Sequence, residues 1–524
     1  MNSSSIVTAF IIWISVMCPP CPAAEAQDWY HQDGLLRGSL KSDRPLPLYD
    51  VQNEHLWNRL FAAFYIRPSE LPSRPEYPAD STKLDEWDRK LRDGKLVPGP
   101  VVKRIEGGDT MSLLAWPKTR YFSEPAAFER ANRLLDEFIE TRAERLIDDP
   151  LKRAFLQRDL WAVFDHLIGQ SIARFGDVEL AKRRAAVPDY DIQPDELQWD
   201  GQAAIQRRET LCRKLAVIIK RLALPKRVLA SLPDTYAAAI RSGQFPTRHD
   251  FDSRPNYLPP GLLTATNEWV EIDNSPEPLH SGQHEGQIDY VAWNIRGRSY
   301  YRVFWRFPAG RRAVEDYLKD LQQEGVDWPK TARQGYIALK PDVRQIPVGT
   351  ETAVVQFMIA LDDQLEPVPT QIVESVRVSV YKNVDGAPDP LTNTGRGLIA
   401  RQYVARRRLL FDRLNQGGLE RLPDDAPTYQ VLLSGHKDWG MFGRQQSVAQ
   451  SCLHCHMYWK DKVGVHSLNT ISCFVPDYVP GIVIPLGSGA IRTYPKAQRI
   501  ARWKLGQEDY LRLVEYARAV PAVH

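Results

Sequence analysis

The chain has 524 residues, 43% hydrophobic and 25% charged, with a formal net charge of +3. That composition is globular and long enough for several domains, and it excludes a disordered or collagen-like chain. So balanced a charge gives no electrostatic footprint for nucleic acid or an anionic membrane surface.

The chain opens MNSSSIVTAFIIWISVMCPPCPAAEA. The apolar run Ile6 to Met17 covers about 12 residues, short of the about 20 a bilayer-spanning helix needs. Small residues spaced A-x-A, Ala24-Glu25-Ala26, follow it, so residues 1–26 read as a secretory signal. An uncleaved N-terminal anchor is the alternative, and a lipoprotein through Cys18 is disfavoured because Val16 and Met17 are not small. The expected location is the periplasm or cell envelope. No later stretch is apolar for long enough to span a membrane, so no integral span is expected once the signal is removed. Cys18 and Cys21 leave with the signal, and Cys212, Cys452, Cys455 and Cys473 remain. Four cysteines in an exported chain of this length do not make a disulfide scaffold.

Three units are expected after the signal: 27–245, a Pro-rich segment plus a helical domain; 250–385, an antiparallel β-rich module; and 386–524, a mostly helical C-terminal domain. From Asp28 to Arg120 the Pro clusters RPLPLYD and RPSELPSRPEYPAD exclude long regular elements. One helix is predicted there, around Val51–Tyr65, on Leu56, Leu60 and Phe64. Helical spacing recurs in Phe128, Ala131, Leu135, Phe138 and Ile139. Asp149-Pro150 opens a further helix carrying Leu151, Phe155, Trp161, Phe164 and Ile168. The next, from Ile205 to Leu222, ends before Pro225 and holds Cys212 on its apolar stripe, where a buried, inert thiol is expected.

Beyond Pro246 the period falls to two. Tyr301, Val303, Trp305 and Phe307 alternate with Arg302 and Arg306. Val355, Phe357, Ile359 and Leu361 alternate next, and then Val376, Val378 and Val380. These predict half-buried antiparallel strands, sandwich-like, with one helix inserted around Ala313–Gln323. After GAPDPLTNTGRG (386–397) a helix is predicted over Leu398–Leu414, and a last one over Glu508–Val520. The overall expectation is an α+β multidomain protein.

The stretch AQSCLHCHMYWKD (449–461) carries the chemistry. Cys452 and Cys455 are spaced to reach the two vinyl groups on one edge of a porphyrin, and the adjacent His456 then projects toward the iron. With this C-x-x-C-H attachment sequence the segment resembles the c-type cytochromes. The resemblance implies one covalent haem c held by Cys452 and Cys455, with His456 as proximal axial ligand. A rival is a zinc site of Cys452, Cys455, His466 and Cys473, which uses Cys473 but leaves His456 unexplained. The cysteine count excludes a second covalent haem.

In the commonest small cytochromes the attachment site lies near the start of the domain and a downstream Met supplies the sixth ligand. Here no methionine follows Met457, which adjoins the proximal histidine and cannot reach the opposite face. His454 sits inside the attachment loop and is excluded too. The distal candidates are Met441 and His466, then His436, or no protein ligand at all. A sixth ligand makes the iron an electron relay; an open position makes it a catalyst of peroxidase-like or nitric-oxide-handling type. A third class is an envelope protein sensing redox state or gas. The expected partner is a redox protein. The chain lacks a helix-borne H-E-x-x-H, a G-x-S-x-G elbow, a P-loop and a dinucleotide fingerprint. These readings favour electron transfer over a catalyst with its own substrate.

Overall fold

The structure, a computed structural model, describes residues 45, 47–72, 101–107, 125–169, 202–246, 257–264, 268–272, 297–320, 346–381, 398–412, 417–421, 427–428, 446–447, 458–460, 463–465 and 495–519. Helix α1 (Leu56–Tyr65) runs into an antiparallel ribbon of β1 (Ile66–Pro72) and β2 (Val101–Gly107). Helices α2 (Pro125–Glu140), α3 (Pro150–Gly169) and α4 (Gln202–Leu222) follow, then the short α5 (Lys226–Leu229) and α6 (Thr235–Arg241). The helices predicted between residues 51 and 222 are borne out. Asp149 caps α3, its Oδ1 accepting from the Leu151 backbone N–H at 2.8 Å, with Pro150 in the first turn where its missing N–H costs nothing. Asp234 caps α6 in the same way.

Six strands then form one antiparallel sheet in the order β3 (Val270–Ile272), β4 (Ser299–Arg306), β5 (Glu351–Leu361), β6 (Pro367–Tyr381), β7 (Leu398–Ala405), β8 (Leu419–Arg421). Helix α7 (Arg311–Asp320) lies between β4 and β5 in the chain and packs on β3 and β4. Short α8 (Arg407–Phe411) follows β7. Two small ladders come next: β9 (Pro427–Thr428) with β10 (Gln446–Ser447), and β11 (Tyr458–Lys460) with β12 (Val463–Val465). Helices α9 (Pro495–Leu505) and α10 (Glu508–Arg518) close the described chain.

The α+β class therefore holds, with three differences in detail. The middle strands belong to a single sheet, and the elements packed on it among the described residues are helices (α3, α5, α6, α7 and α9) rather than the second sheet of a sandwich. The helix predicted over Leu398–Leu414 is instead β7 plus the single turn and a half of α8. Strand β7 lies inside the sheet and is paired with β6 over residues 398–404. The sheet thus continues past residue 385, between β6 and β7. Arg302, expected on a solvent side, is 5% exposed and makes a two-point ion pair with Glu271.

Helix α3 is the axis of this arrangement. It touches α1, α4, α10 and β5, and Phe155, Leu160, Trp161, Phe164 and Leu167 are all buried. Each large side chain removed from water in this way contributes about 1.5–3 kcal/mol. Helix α9 packs on β6 and β4, and α10 on α3 and α4. Strand β8 needs glycine beside α6: a Cβ on Gly417 would lie 2.4 Å from both Ala239 Cβ and the Thr235 carbonyl oxygen. Among the described residues no helix is long and apolar enough to cross a membrane.

Candidate functional site

Cys452, Cys455 and His456 lie outside the described residues, as do Met441, His466, His436 and Cys473. Their places in the chain relative to described elements are fixed. His436 and Met441 fall between β9 and β10, the attachment sequence between β10 and β11, and His466 directly after β12. All belong to the stretch 422–494, between β8 and α9.

The chemistry the described residues do show is a set of buried charges radiating from α3. Asp159 and Arg407 are both fully buried and form a two-point pair, Nη2 to Oδ1 at 2.6 Å and Nε to Oδ2 at 3.0 Å. Tyr49 donates its hydroxyl to Asp159 Oδ2 at 3.0 Å, and Tyr65 donates to the Asp159 carbonyl at 2.8 Å. One residue earlier, Arg158 meets Glu374 at 2.5 Å, and Glu374 also accepts from Ser299 and from Gln356. Gln157 binds the backbone at the end of β5, donating to the Leu361 carbonyl at 2.9 Å and accepting from its N–H at 3.1 Å. Two turns on, Asp165 accepts from Arg298 at 2.6 Å and from Lys504 at 2.8 Å. Lys504 in turn reaches Asp509 at 3.0 Å and lies over the Trp161 ring.

Three acids of this set face three bases around Asp165 and Glu374, and Asp159 balances Arg407, so the cluster is neutral. Burial pushes Asp165 above the ordinary carboxylate range, and Lys504 and Arg298 oppose that. Burial by itself would lower Arg407, but the Asp159 carboxylate, with Tyr49 and Tyr65, more than offsets this and holds the guanidinium charged. Burial and the Asp159 charge together raise Tyr49 and Tyr65, so both stay protonated donors. Pairing neutralises charge without using every donor: Arg158 Nε and Nη1 and the Trp161 indole N–H have no hydrogen-bond acceptor. The arrangement joins α3 to α1, α8, α9, α10 and the strands β4, β5 and β6, and offers no exposed nucleophile or base. It is a framework.

Cys212 is fully buried in α4 and burial raises its thiol well above the ordinary value, so the inert thiol predicted from the apolar stripe is borne out. Among the described residues no group of His, Cys, Asp and Glu could hold a metal ion.

Sequence reasoning missed the buried charges because hydrophobic periodicity treats Asp and Arg as markers of a solvent face. A signal was present in α3 itself: apolar residues surround Gln157, Arg158 and Asp159 on every side of the helix, which leaves no wet face for them. No family model matches the chain, and neither the curated proteins nor the solved structures contain a match.

Proposed function

We propose that the chain is an exported monohaem c-type cytochrome that passes single electrons to or from a redox partner protein. The observation that carries this reading is the sequence Cys452-Leu453-His454-Cys455-His456. Two thiols at this spacing reach both vinyl groups on one porphyrin edge, and the adjoining imidazole becomes the proximal ligand. The apolar leader with its A-x-A site supports it, because attachment of this kind occurs outside the cytoplasm. When bound, the haem supplies a metal that cycles between two oxidation states. The chain's own contribution is Cys452 and Cys455 as tethers, His456 below the iron, and Met441 or His466 as distal candidate.

Carbon monoxide tests the reading on protein made with the cytochrome maturation machinery. A relay has a low-spin reduced spectrum that the gas leaves unchanged, and replacing Met441 or His466 by Ala converts it to a gas-binding form. Rapid binding to the unaltered protein replaces the relay with an open iron, and peroxide turnover then separates a peroxidase-like catalyst from a gas sensor. A stoichiometric zinc content in place of haem returns the site to Cys452, Cys455, His466 and Cys473.

A further inference from the structure

Six arginines are buried among the described residues: Arg158, Arg298, Arg302, Arg377, Arg406 and Arg407. Five have a carboxylate partner, respectively Glu374, Asp165, Glu271, Glu420 and Asp159. Arg377 is the sixth. It is 7% exposed, its Nε has no hydrogen-bond partner, and among the described residues no carboxylate pairs with it. A buried guanidinium N–H left without an acceptor is costly, and an arginine with no counter-charge beside it is a ready partner for an anion.

The surroundings have a definite layout. Val303, Val354, Arg377 and Gln402 are direct cross-strand neighbours, one from each of β4, β5, β6 and β7, and so form a row across one face of the sheet. Gln402 is 2% exposed, and its Oε1 also lacks a hydrogen-bond partner. Ser375 and Ser379 flank Arg377 on the same face of β6. The apolar end of the row is the open end: Val354 is the only residue of β5 that is not fully buried, and Val303 is likewise partly exposed.

We infer that this row binds an organic carboxylate, its charged group on Arg377 beside Gln402 and its apolar body along Val354 and Val303. Arg377 supplies the charge-assisted donors a carboxylate takes in two-point fashion, and the valines supply the apolar surface. The Gln402 carbonyl oxygen accepts from a neutral hydroxyl or amide on the same ligand. The carboxylate has two chemical sources, a free organic acid or a side arm of an attached porphyrin.

Titration with hexanoate, using hexylamine as the opposite-charge control, tests this on the full-length protein. It is run on haem-loaded protein and on the Cys452→Ser/Cys455→Ser variant. Hexanoate binding to both, with hexylamine inert and binding weakened at least tenfold by Arg377→Met, assigns the site to a free acid. Binding only to the double-serine variant, equally lost in Arg377→Met, assigns it to the porphyrin's own carboxylate. If neither protein binds, or if Arg377→Met binds as well as the original, the inference is overturned. Should Arg377→Met fail to fold, Arg377→Lys replaces it: loss of the planar fork weakens binding at least fivefold, and unchanged binding overturns the inference. Protein that carries no haem but binds hexanoate through Arg377 would refute the cytochrome reading and leave this site standing.

Discussion

The α3 end of the sheet and the row through Arg377 handle buried charge in opposite ways. At the first, Asp159 with Arg407, Glu374 with Arg158, and Asp165 with Arg298 and Lys504 close neutral circuits within the chain. At the second, the mostly buried Arg377 neighbours Val354, Gln402 and two serines, and among the described residues no acid pairs with it. The first balances its charge within the chain. The second is complete only with something added, and that separates framework from binding site.

Breaking a framework pair should produce the largest effect. Asp159→Asn strands Arg407 and should lower stability to denaturant by about 3–5 kcal/mol, whereas replacing Asp159 and Arg407 together by Leu and Met should recover most of that loss. A single variant as stable as the original would mean the pair is not buried as described. Lys504→Met comes next, at about 2–3 kcal/mol near neutral pH, less than the full cost because Arg298 still faces Asp165.

The pH dependence of that loss sharpens the comparison. Burial holds the Asp165 pKa above its unfolded value, so this group favours folding most below the unfolded pKa, and its contribution is lost as pH rises through the folded one. Lys504 offsets that loss only where Asp165 is ionised. The deficit of Lys504→Met should therefore be greater at neutral pH than in acid, and a deficit independent of pH would remove Asp165 from the explanation. Gly417→Ala should cost about 1–3 kcal/mol, since the new Cβ meets the α6 backbone, which cannot turn aside. The smallest effect concerns Cys212: thiol reagents should leave it untouched in folded protein and label it at the rate of global unfolding.

Much of the fold was legible because its helices and strands keep their periods. Phe128 to Ile139 and Leu211 to Leu222 show the 3.6-residue spacing, and Val376, Val378 and Val380 the two-residue spacing. The misreading at Leu398–Leu414 has a physical cause. A strand whose consecutive residues Gln402, Tyr403, Val404 and Ala405 are all buried has no reason to alternate, and LIARQYVARRRLL reads equally well as a helix. Buried pairing was illegible for another reason: nothing in a sequence says that Asp159 will meet Arg407, because partners 248 positions apart are set by the fold alone. The attachment motif was the reverse case. Its five consecutive residues carry their chemistry without reference to any distant element.

The most direct test of that chemistry is a pyridine haemochrome spectrum, with iron and zinc contents, on protein exported through the maturation machinery. One haem c per chain, lost in Cys452→Ser/Cys455→Ser and with iron matching haem, is the predicted result. Colourless protein, or zinc in place of iron, would contradict it.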